Sequence, residues 1–370
     1  MRFLGAGVAA LAAVLLVFLS LAASRATDPA FDEIAHVGAA YRLVLDGNDR
    51  LNPEHPPLVK WVAGVAMRAC CATPARDALA MSATDQWEAG RTLLFGDGAP
   101  DRRLLSAARA PMLAIALFGL LGVWMWTRSL FGDGVAAVCA LLYAASPTVV
   151  AQSALVLTDL PVGVFATWAM ACAWLALHHA GRRALAAAAA AGAFAVLACL
   201  AKFSGVLVVP IVLATLALAA PRGTRARLLL AALVPLALAP AALGPDRVAS
   251  LLEGFAAVGH NHMAGYAWYA LGEFSLERRP WYFPLAFALK GTPSELLLLA
   301  GALPAAWRMR RRRDAVVVAA FPVAYFAAMV LLAPHTGQRY LAPVHPFVCV
   351  AAGFALAALA GRTRLLAATG

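Results

Sequence analysis

The sequence has 370 residues, of which 63% are hydrophobic and only 13% are charged, and its mean hydropathy is +0.77. A soluble domain needs more polar surface than this to cover its core, so the composition excludes that class and is typical of polytopic membrane proteins. The net charge of +11 does not indicate a nucleic-acid partner, because the basic residues collect in short loops between apolar stretches.

Ten apolar stretches predict membrane-spanning helices, since backbone groups in lipid must be satisfied internally. They lie near 3–23, 109–127, 134–152, 160–178, 184–200, 203–220, 227–244, 283–306, 315–333 and 341–360. The first has features of a signal peptide, but its length and the nine further spans favour a retained signal-anchor. We expect one all-α transmembrane domain over 1–370, with long loops at 24–108 and 245–282 and no soluble C-terminal domain.

The positions of the basic residues predict the orientation of the chain. Arg2, Arg128, Arg182 and the run Arg310 to Arg313 all fall on one side of the membrane if there are ten spans. The rule that cytoplasmic loops carry excess Lys and Arg then places both termini in the cytoplasm. It also places the loops 24–108 and 245–282 on the outer face.

Ionisable side chains are concentrated in the stretch 28–61, directly after the first span. Those that we take as candidates for the site are Asp32, Glu33, His36, Glu54, His55 and Lys60. A carboxylate beside a low-dielectric surface has a tunable pKa and can act as a general base, whereas an acidic pair just past a helix end is otherwise an ordinary solvated feature. Apolar residues recur at helical spacing after Pro57, which predicts an amphipathic helix in the headgroup layer near 58–68.

The histidine, cysteine and glycine patterns do not indicate a metal, a disulfide framework or a nucleotide. His260 and His262 are spaced as His-x-His, but no carboxylate partner is placed beside them, so we predict no metal site and no cofactor. The six cysteines do not form a disulfide framework or a zinc pattern. No glycine-rich phosphate loop is found, which agrees with a lipid-linked sugar donor rather than a nucleotide sugar.

Several motifs in order carry a family resemblance. They are DE-x-x-H, LNPEHPPLVKW, ARAPML, LFGDG, ASPTVVAQSALVLTDLPVGVF, GHNHMAGYAWYALGEFS, WYFPLAFALKGTP and QRYLAPVHPF. Over residues 28–350 the chain resembles the dolichyl-phosphate-mannose protein mannosyltransferase-like group of bacterial membrane glycosyltransferases, of GT-C type and related to the aminoarabinose transferases of lipid A. The resemblance implies a GT-C helical bundle in the bacterial cytoplasmic membrane, with the active site facing the periplasm.

The resemblance also assigns roles to residues. It implies that Asp32 is catalytic with support from Glu33, and that Asp159 is the second acidic residue of the site. A polyprenyl-phosphate leaving group needs its growing negative charge neutralised, and Lys202, Arg339 and His55 are the candidate cations. Relatives often have Lys at the position of His55. Because His is only partly protonated near neutral pH, the sequence does not decide whether this position carries a permanent positive charge. Further candidate substrate contacts are His36, Glu54, Lys60, Asp159, His262, Tyr266 and Lys290.

The sequence therefore predicts a membrane glycosyltransferase that moves a sugar from a polyprenyl-phosphate carrier to an acceptor on the outer face, with inversion at the anomeric carbon. The partners are the lipid-linked donor, membrane lipid and an acceptor that is a protein, lipid or glycan. The alternatives left open are a lipid or solute transporter, an inactive relative of such enzymes and a membrane scaffold. A transporter would place ionisable residues at mid-membrane in matching halves, which the sequence does not show.

Overall fold

The computed structural model describes the backbone of residues 2–96, 98–263, 266–335 and 337–369, and the side chains of these ranges outside 2–4, 261–263 and 362–369. The α-helices are α1 (Arg2–Ala26), α2 (Phe31–Asp46), α3 (Pro57–Cys71), α4 (Pro74–Ser82), α5 (Gln86–Phe95), α6 (Arg102–Phe131), α7 (Asp133–Ala145), α8 (Pro147–Ser153), α9 (Asp159–His178), α10 (Gly181–Ala201), α11 (Val208–Ala219), α12 (Arg222–Leu243), α13 (Pro245–Met263), α14 (Tyr282–Lys290), α15 (Pro293–Arg308), α16 (Arg312–Leu332) and α17 (His345–Thr369). Two 3₁₀ helices cover Phe203–Leu207 and Gln338–Val344. Strands β1 (Trp268–Ala270) and β2 (Glu273–Ser275) pair antiparallel.

Seven of the described helices are long and apolar enough to cross a membrane, and the bent pair α7–α8 would make an eighth. The seven are α1, α6, α9, α10, α12, α16 and α17 with the 3₁₀ turn before it. The chain is therefore a multi-pass membrane protein, and the predicted all-α transmembrane bundle is confirmed.

Two predicted spans are interrupted where the sequence reasoning expected continuous helices. The stretch 134–152 divides into α7 and α8, which are bent by 58° with Pro147 opening the second helix. Proline favours the first turn of a helix and disfavours the α conformation in the residue before it, which explains the break at Ser146. The stretch 203–220 begins as the 3₁₀ helix Phe203–Leu207, so only twelve residues are α-helical in α11.

The predicted span 283–306 is also divided, into α14 and α15. Thr292 caps α15, with its side chain accepting from the backbone N–H of Glu295 at 3.2 Å and the Glu295 carboxylate accepting from the N–H of Thr292 at 3.2 Å. With Pro293 as the first helical residue, this capping box is a helix start signal inside the apolar stretch. The expectation of one continuous span there was wrong for this reason.

Helix α9 is the most buried of the described spanning helices: 83% of its most apolar 18-residue segment is buried inside the protein. The corresponding share for α12 is only 11%. Helix α9 packs against α6, α10 and the 3₁₀ helix Gln338–Val344. Its sequence is apolar around its whole circumference, as a helix surrounded by protein requires. This central position brings Asp159, the first residue of α9, into the interior of the bundle at one end.

The first long loop, 24–108, is folded into helices α2 to α5. Helix α3 confirms the helix predicted near 58–68, and it begins at Pro57 and ends at Cys71. Glycines allow close backbone contact within this unit: a Cβ built on Gly64 would lie 2.1 Å from the carbonyl oxygen of Ala40, and one on Gly90 would lie 1.9 Å from that of Ile34. Helix α2, which carries Asp32, is thereby packed tightly between α3 and α5.

Candidate active site

A cavity of about 540 Å³ opens where the folded loop meets one end of the helical bundle. One part of its wall is apolar and includes Phe203, Val206, Phe255 and Leu332. The polar part is contributed by side chains distant in sequence, namely Asp32, His36, Asn52, Glu54, His55, Gln86, Thr158, Asp159, Lys202, Ser204, Arg339 and Tyr340. A cavity that is apolar with a few convergent polar groups is the usual form of a ligand site.

Asp32 and Arg339 form an ion pair at this cavity, with Nη1 of Arg339 donating to Oδ2 of Asp32. Asp32 lies in the first turn of α2, and Arg339 lies in the 3₁₀ helix Gln338–Val344. The two side chains are 28% and 39% exposed, so solvent or a ligand reaches both. Nε of Arg339 is buried and has no hydrogen-bond partner among the described residues.

A second ion pair joins Lys202 to Asp159, with 2.5 Å between Nζ and Oδ1. It is more deeply placed, because the side chains are 14% and 3% exposed. Asp159 opens α9, where a carboxylate is favourable beside unpaired backbone N–H groups, and Lys202 occupies the break after α10. The ring of Tyr340 lies between the two pairs, with its centroid 4.7 Å from Nζ of Lys202 and 5.6 Å from Cζ of Arg339.

The imidazoles of His36 and His55 pack edge to face, with 4.4 Å between ring centroids and an interplanar angle of 88°. Burial lowers the pKa of His36 to about 4, against the opposing effect of Asp32, and lowers the pKa of His55 well below its ordinary value. Both rings are therefore neutral at pH 7. Their buried Nδ1 atoms have no hydrogen-bond partner among the described residues and are available to a ligand.

Comparison with known proteins agrees with this architecture. Residues 93–243 match the family model described as dolichyl-phosphate-mannose-protein mannosyltransferase. The archaeal oligosaccharyltransferase AglB from Archaeoglobus fulgidus, solved with an inhibitory peptide and a dolichol-phosphate, superposes with a TM-score of 0.63 at 16% identity, covering 100% of this chain and 52% of AglB. ArnT from Cupriavidus metallidurans, solved with undecaprenyl phosphate, has a TM-score of 0.58 at 19% identity, covering 93% of this chain and 59% of ArnT.

The chain therefore has the transmembrane fold of AglB and ArnT, and residues 93–243 resemble the protein mannosyltransferase family. Both findings agree with the resemblance inferred from its motifs. The chain spans little more than half the length of these solved structures. No curated protein sequence matches it significantly.

Glu33 does not line the cavity, contrary to its expected catalytic role. Its side chain is fully buried, and its two oxygens accept from Arg109 at 2.8 Å and 2.7 Å. Oε1 also accepts from the backbone N–H of Val156 at 2.9 Å. All of its contacts are internal, so Glu33 is a structural residue next to Asp32 and does not touch a substrate in the cavity.

Two lysines differ from their expected roles as substrate contacts. Lys60 does not line the main cavity; it is 2% exposed, and its Nζ donates to the carbonyl oxygens of Asn52 at 2.8 Å and Asp49 at 3.4 Å. It therefore fixes the backbone that carries Glu54 and His55, and its ammonium is enclosed by protein. Lys290 ends α14 as an exposed side chain away from the cavity lining.

Of the other predicted substrate contacts, some line the cavity and one lies outside the described side chains. Glu54 and Tyr266 line the cavity, and Oε2 of Glu54 is buried without a hydrogen-bond partner among the described residues. The side chain of His262 lies outside the described part of the chain. Among the residues that are described, no group of three or more His, Cys, Asp or Glu side chains could hold a metal ion.

Sequence reasoning missed Arg109, which holds Glu33, and the cavity residues Asn52, Gln86 and Tyr340. Arg109 did carry a signal, because a charged residue at the start of an apolar span is expensive unless it has a partner. Asn52 and Gln86 gave no such signal. They meet as a hydrogen-bonded pair only because α5 folds back against α2.

Proposed function

We propose that this protein transfers a sugar from a polyprenyl-phosphate carrier to an acceptor hydroxyl or other nucleophile, with inversion at the anomeric carbon. The observation that carries this proposal is the cavity in which two ion pairs face an apolar wall. Lys202 and Arg339 offer positive charge to a phosphate, and Asp32 offers a carboxylate to the acceptor. The dolichol-phosphate and undecaprenyl phosphate bound to AglB and ArnT have this same combination of anionic head and apolar tail.

The apolar wall suits the first isoprene units of such a donor. Phe203 and Phe255 pack edge to face there with 5.6 Å between ring centroids, and Val206 and Leu332 are 47% and 60% exposed. Side chains exposed at the edge of a membrane bundle provide a lateral entry for a lipid tail. The tail then remains in hydrocarbon while the phosphate reaches the cations of the cavity.

The reaction follows from the ion pair at Asp32. A donor phosphate competes with the Asp32 carboxylate for Arg339, so donor binding leaves Asp32 free to accept the acceptor's proton. The acceptor oxygen then bonds to the anomeric carbon as the bond from that carbon to the phosphate oxygen breaks. The electron pair leaves with the phosphate, and Arg339 and Lys202 stabilise the added negative charge.

The neutral histidines change the role expected for His55. An uncharged imidazole does not neutralise a phosphate, so in this proposal Arg339 and Lys202 perform that task without it. His36, His55 and Glu54 instead offer hydrogen bonds to sugar hydroxyls, through the buried atoms that have no partner among the described residues. In a cell with the predicted topology the cavity faces the periplasm or exterior, and both termini face the cytoplasm.

The test uses the full chain reconstituted in vesicles with a radiolabelled polyprenyl-phosphate sugar and a membrane extract as acceptor. We expect transfer by the native chain and a loss of at least about a hundredfold in Asp32→Asn, since general-base catalysis is worth about that factor. His179→Asn, an exposed change at the far end of α9, is the matched control and keeps full activity. Full transfer by Asp32→Asn would show that Asp32 is not the base.

A further inference from the structure

The hairpin formed by β1 and β2 lies in the second long loop, outside the spanning helices, and has two unlike faces. Trp268 is 4% exposed and packs on Trp281, Tyr282 and His335, with ring centroids 5.6, 5.4 and 5.7 Å away. Nε1 of Trp268 also donates to the carbonyl oxygen of Glu277 at 2.7 Å. This face fixes the hairpin on the protein.

The opposite face is apolar and exposed. Tyr269 and Phe274 are cross-strand partners, and successive residues of a strand point to opposite sides, so this pair projects away from Trp268. We call the exposed apolar surface of this segment the hairpin face. It consists of Tyr269, Leu271, Phe274 and Leu276, which are 68%, 72%, 74% and 67% exposed.

The turn of the hairpin holds Leu271 in a strained backbone conformation. Leu271 and Gly272 have φ of 54° and 84°, the left-handed conformation required at both central positions of the tightest hairpin turns. Asn, Asp or Gly is preferred at the first of these positions, whereas a branched apolar residue there costs about 1 kcal/mol or more. An apolar surrounding for this exposed leucine would offset the strain.

The hairpin lies at the level where a spanning helix ends. Nη1 of Arg278, two residues after Leu276, donates to the carbonyl oxygen of Leu331 at 3.0 Å. Leu331 and Leu332 are the last residues of α16, a helix long and apolar enough to cross a membrane, and they are 67% and 60% exposed. This hydrogen bond places the hairpin beside the exposed apolar end of a helix that is suited to span the membrane, where a headgroup layer would begin.

We propose that the hairpin face is a membrane anchor, inserted into the headgroup and upper acyl region of the outer leaflet. Burying four apolar side chains there recovers free energy well beyond the strain at Leu271. Tyr266, which lines the cavity, is two residues from β1, so the anchor holds the cavity mouth against the leaflet in which a lipid-linked substrate would diffuse. The anchoring itself does not depend on the proposed glycosyl transfer.

The test measures the environment of the hairpin face directly. Leu271→Cys and Phe274→Cys, each in a Cys70→Ser background, are labelled with a polarity-sensitive fluorophore and reconstituted in vesicles of phosphatidylcholine and phosphatidylglycerol. Cys70 is the exposed native cysteine in the described structure. We expect both labels to be quenched several-fold more by a lipid-borne nitroxide near the headgroup than by aqueous iodide. Arg50→Cys, in an exposed turn of the first outer loop, should show the reverse order.

Quenching of both hairpin labels by iodide, as at position 50, would overturn the proposal. Protection from both quenchers would also overturn it, because a protein partner would then cover the face. Leu271→Asn separates anchoring from folding: it suits the left-handed turn, so thermal stability in detergent is maintained or raised. In the same variant the Phe274→Cys label should become more accessible to iodide in vesicles, and an unchanged ratio would contradict a role for the apolar tip.

Discussion

Glu33 and Arg109 form a buried two-pronged ion pair that joins α2 to α6, with atoms 2.8 Å and 2.7 Å apart. Glu33 follows Asp32 directly in α2, and its Oε1 also holds the backbone N–H of Val156, three residues before Asp159. One carboxylate therefore sets the positions of two segments that each supply an acidic residue to the cavity. This explains why an adjacent acidic pair contains one partly exposed member that faces the cavity and one fully buried member.

We predict that Arg109→Met destabilises the protein by about 3–5 kcal/mol, because it leaves the Glu33 carboxylate buried without its cation. Denaturant unfolding of the protein in detergent measures this. The control is Arg102→Ala, which breaks the exposed pair to Asp28, where the side chains are 51% and 75% exposed, and should cost no more than about 1 kcal/mol. An equal decrease in unfolding free energy in the two variants would show that the buried ion pair contributes no more to stability than the exposed one.

The sequence was sufficient to predict the helical class, most spans and the helix after Pro57, because apolar length and periodicity are local signals. It also selected Asp32, Lys202 and Arg339, which the structure brings to one cavity. Their catalytic and phosphate-binding roles remain predictions. The family motifs supplied that selection; spacing alone does not bring residues 32 and 339 together.

The roles of Glu33 and Lys60 and the desolvation of His55 were not predicted, because each depends on tertiary contacts. The role of Glu33 is decided by Arg109, 76 residues away, so nothing in the local acidic pair distinguishes Glu33 from Asp32. Lys60 lies in an amphipathic pattern typical of a headgroup helix, yet the carbonyl oxygens of Asn52 and Asp49 capture its ammonium. Desolvation of His55 likewise follows only from the packing of its loop against α2.

The depressed pKa of His36 predicts a loss of stability in acid. The unfolded imidazole has the ordinary pKa of 6.5, whereas burial lowers the pKa in the folded chain to about 4. As pH falls from 6.5 towards 4, the unfolded state binds a proton that the folded state does not, so the free energy of unfolding decreases by a few kcal/mol. Above pH 6.5 both states are neutral and this contribution to the pH dependence disappears.

Thermal unfolding in detergent between pH 4 and pH 7 tests that loss. His36→Gln removes one of the two buried imidazoles whose pKa is lowered, so the loss of stability in acid should become smaller, even if stability at pH 7 is lower. His179→Gln, at an exposed position, should leave the native pH dependence intact. A curve for His36→Gln that parallels the native one would mean that other groups cause the acid sensitivity.

Gly64 should not tolerate a side chain. The Cβ of Gly64→Ala would lie 2.1 Å from the carbonyl oxygen of Ala40, a backbone atom, so α3 must move away from α2. We expect a loss of about 1–3 kcal/mol in unfolding free energy together with reduced transfer, since α2 carries Asp32. Gly134→Ala in α7 meets nothing within 4 Å and should be neutral or slightly stabilising. A neutral Gly64→Ala would contradict the close helix packing.

Lys202 should matter to the donor while Lys290 should not. Lys202 lies at the cavity with its Nζ 2.5 Å from Oδ1 of Asp159, whereas Lys290 is exposed and does not line the cavity.

Removing Lys202 alone leaves Asp159 buried and unpaired, so the informative variant is Asp159→Asn/Lys202→Gln, which replaces the ion pair with two neutral amides. We expect this variant to fold and to bind undecaprenyl phosphate at least about tenfold more weakly, because a charge-assisted hydrogen bond to phosphate contributes about 1.5–3 kcal/mol. Binding is measured by thermal stabilisation against lipid concentration. Lys290→Ala should bind as the native chain does, and the reverse pattern would move the phosphate site to the end of α14.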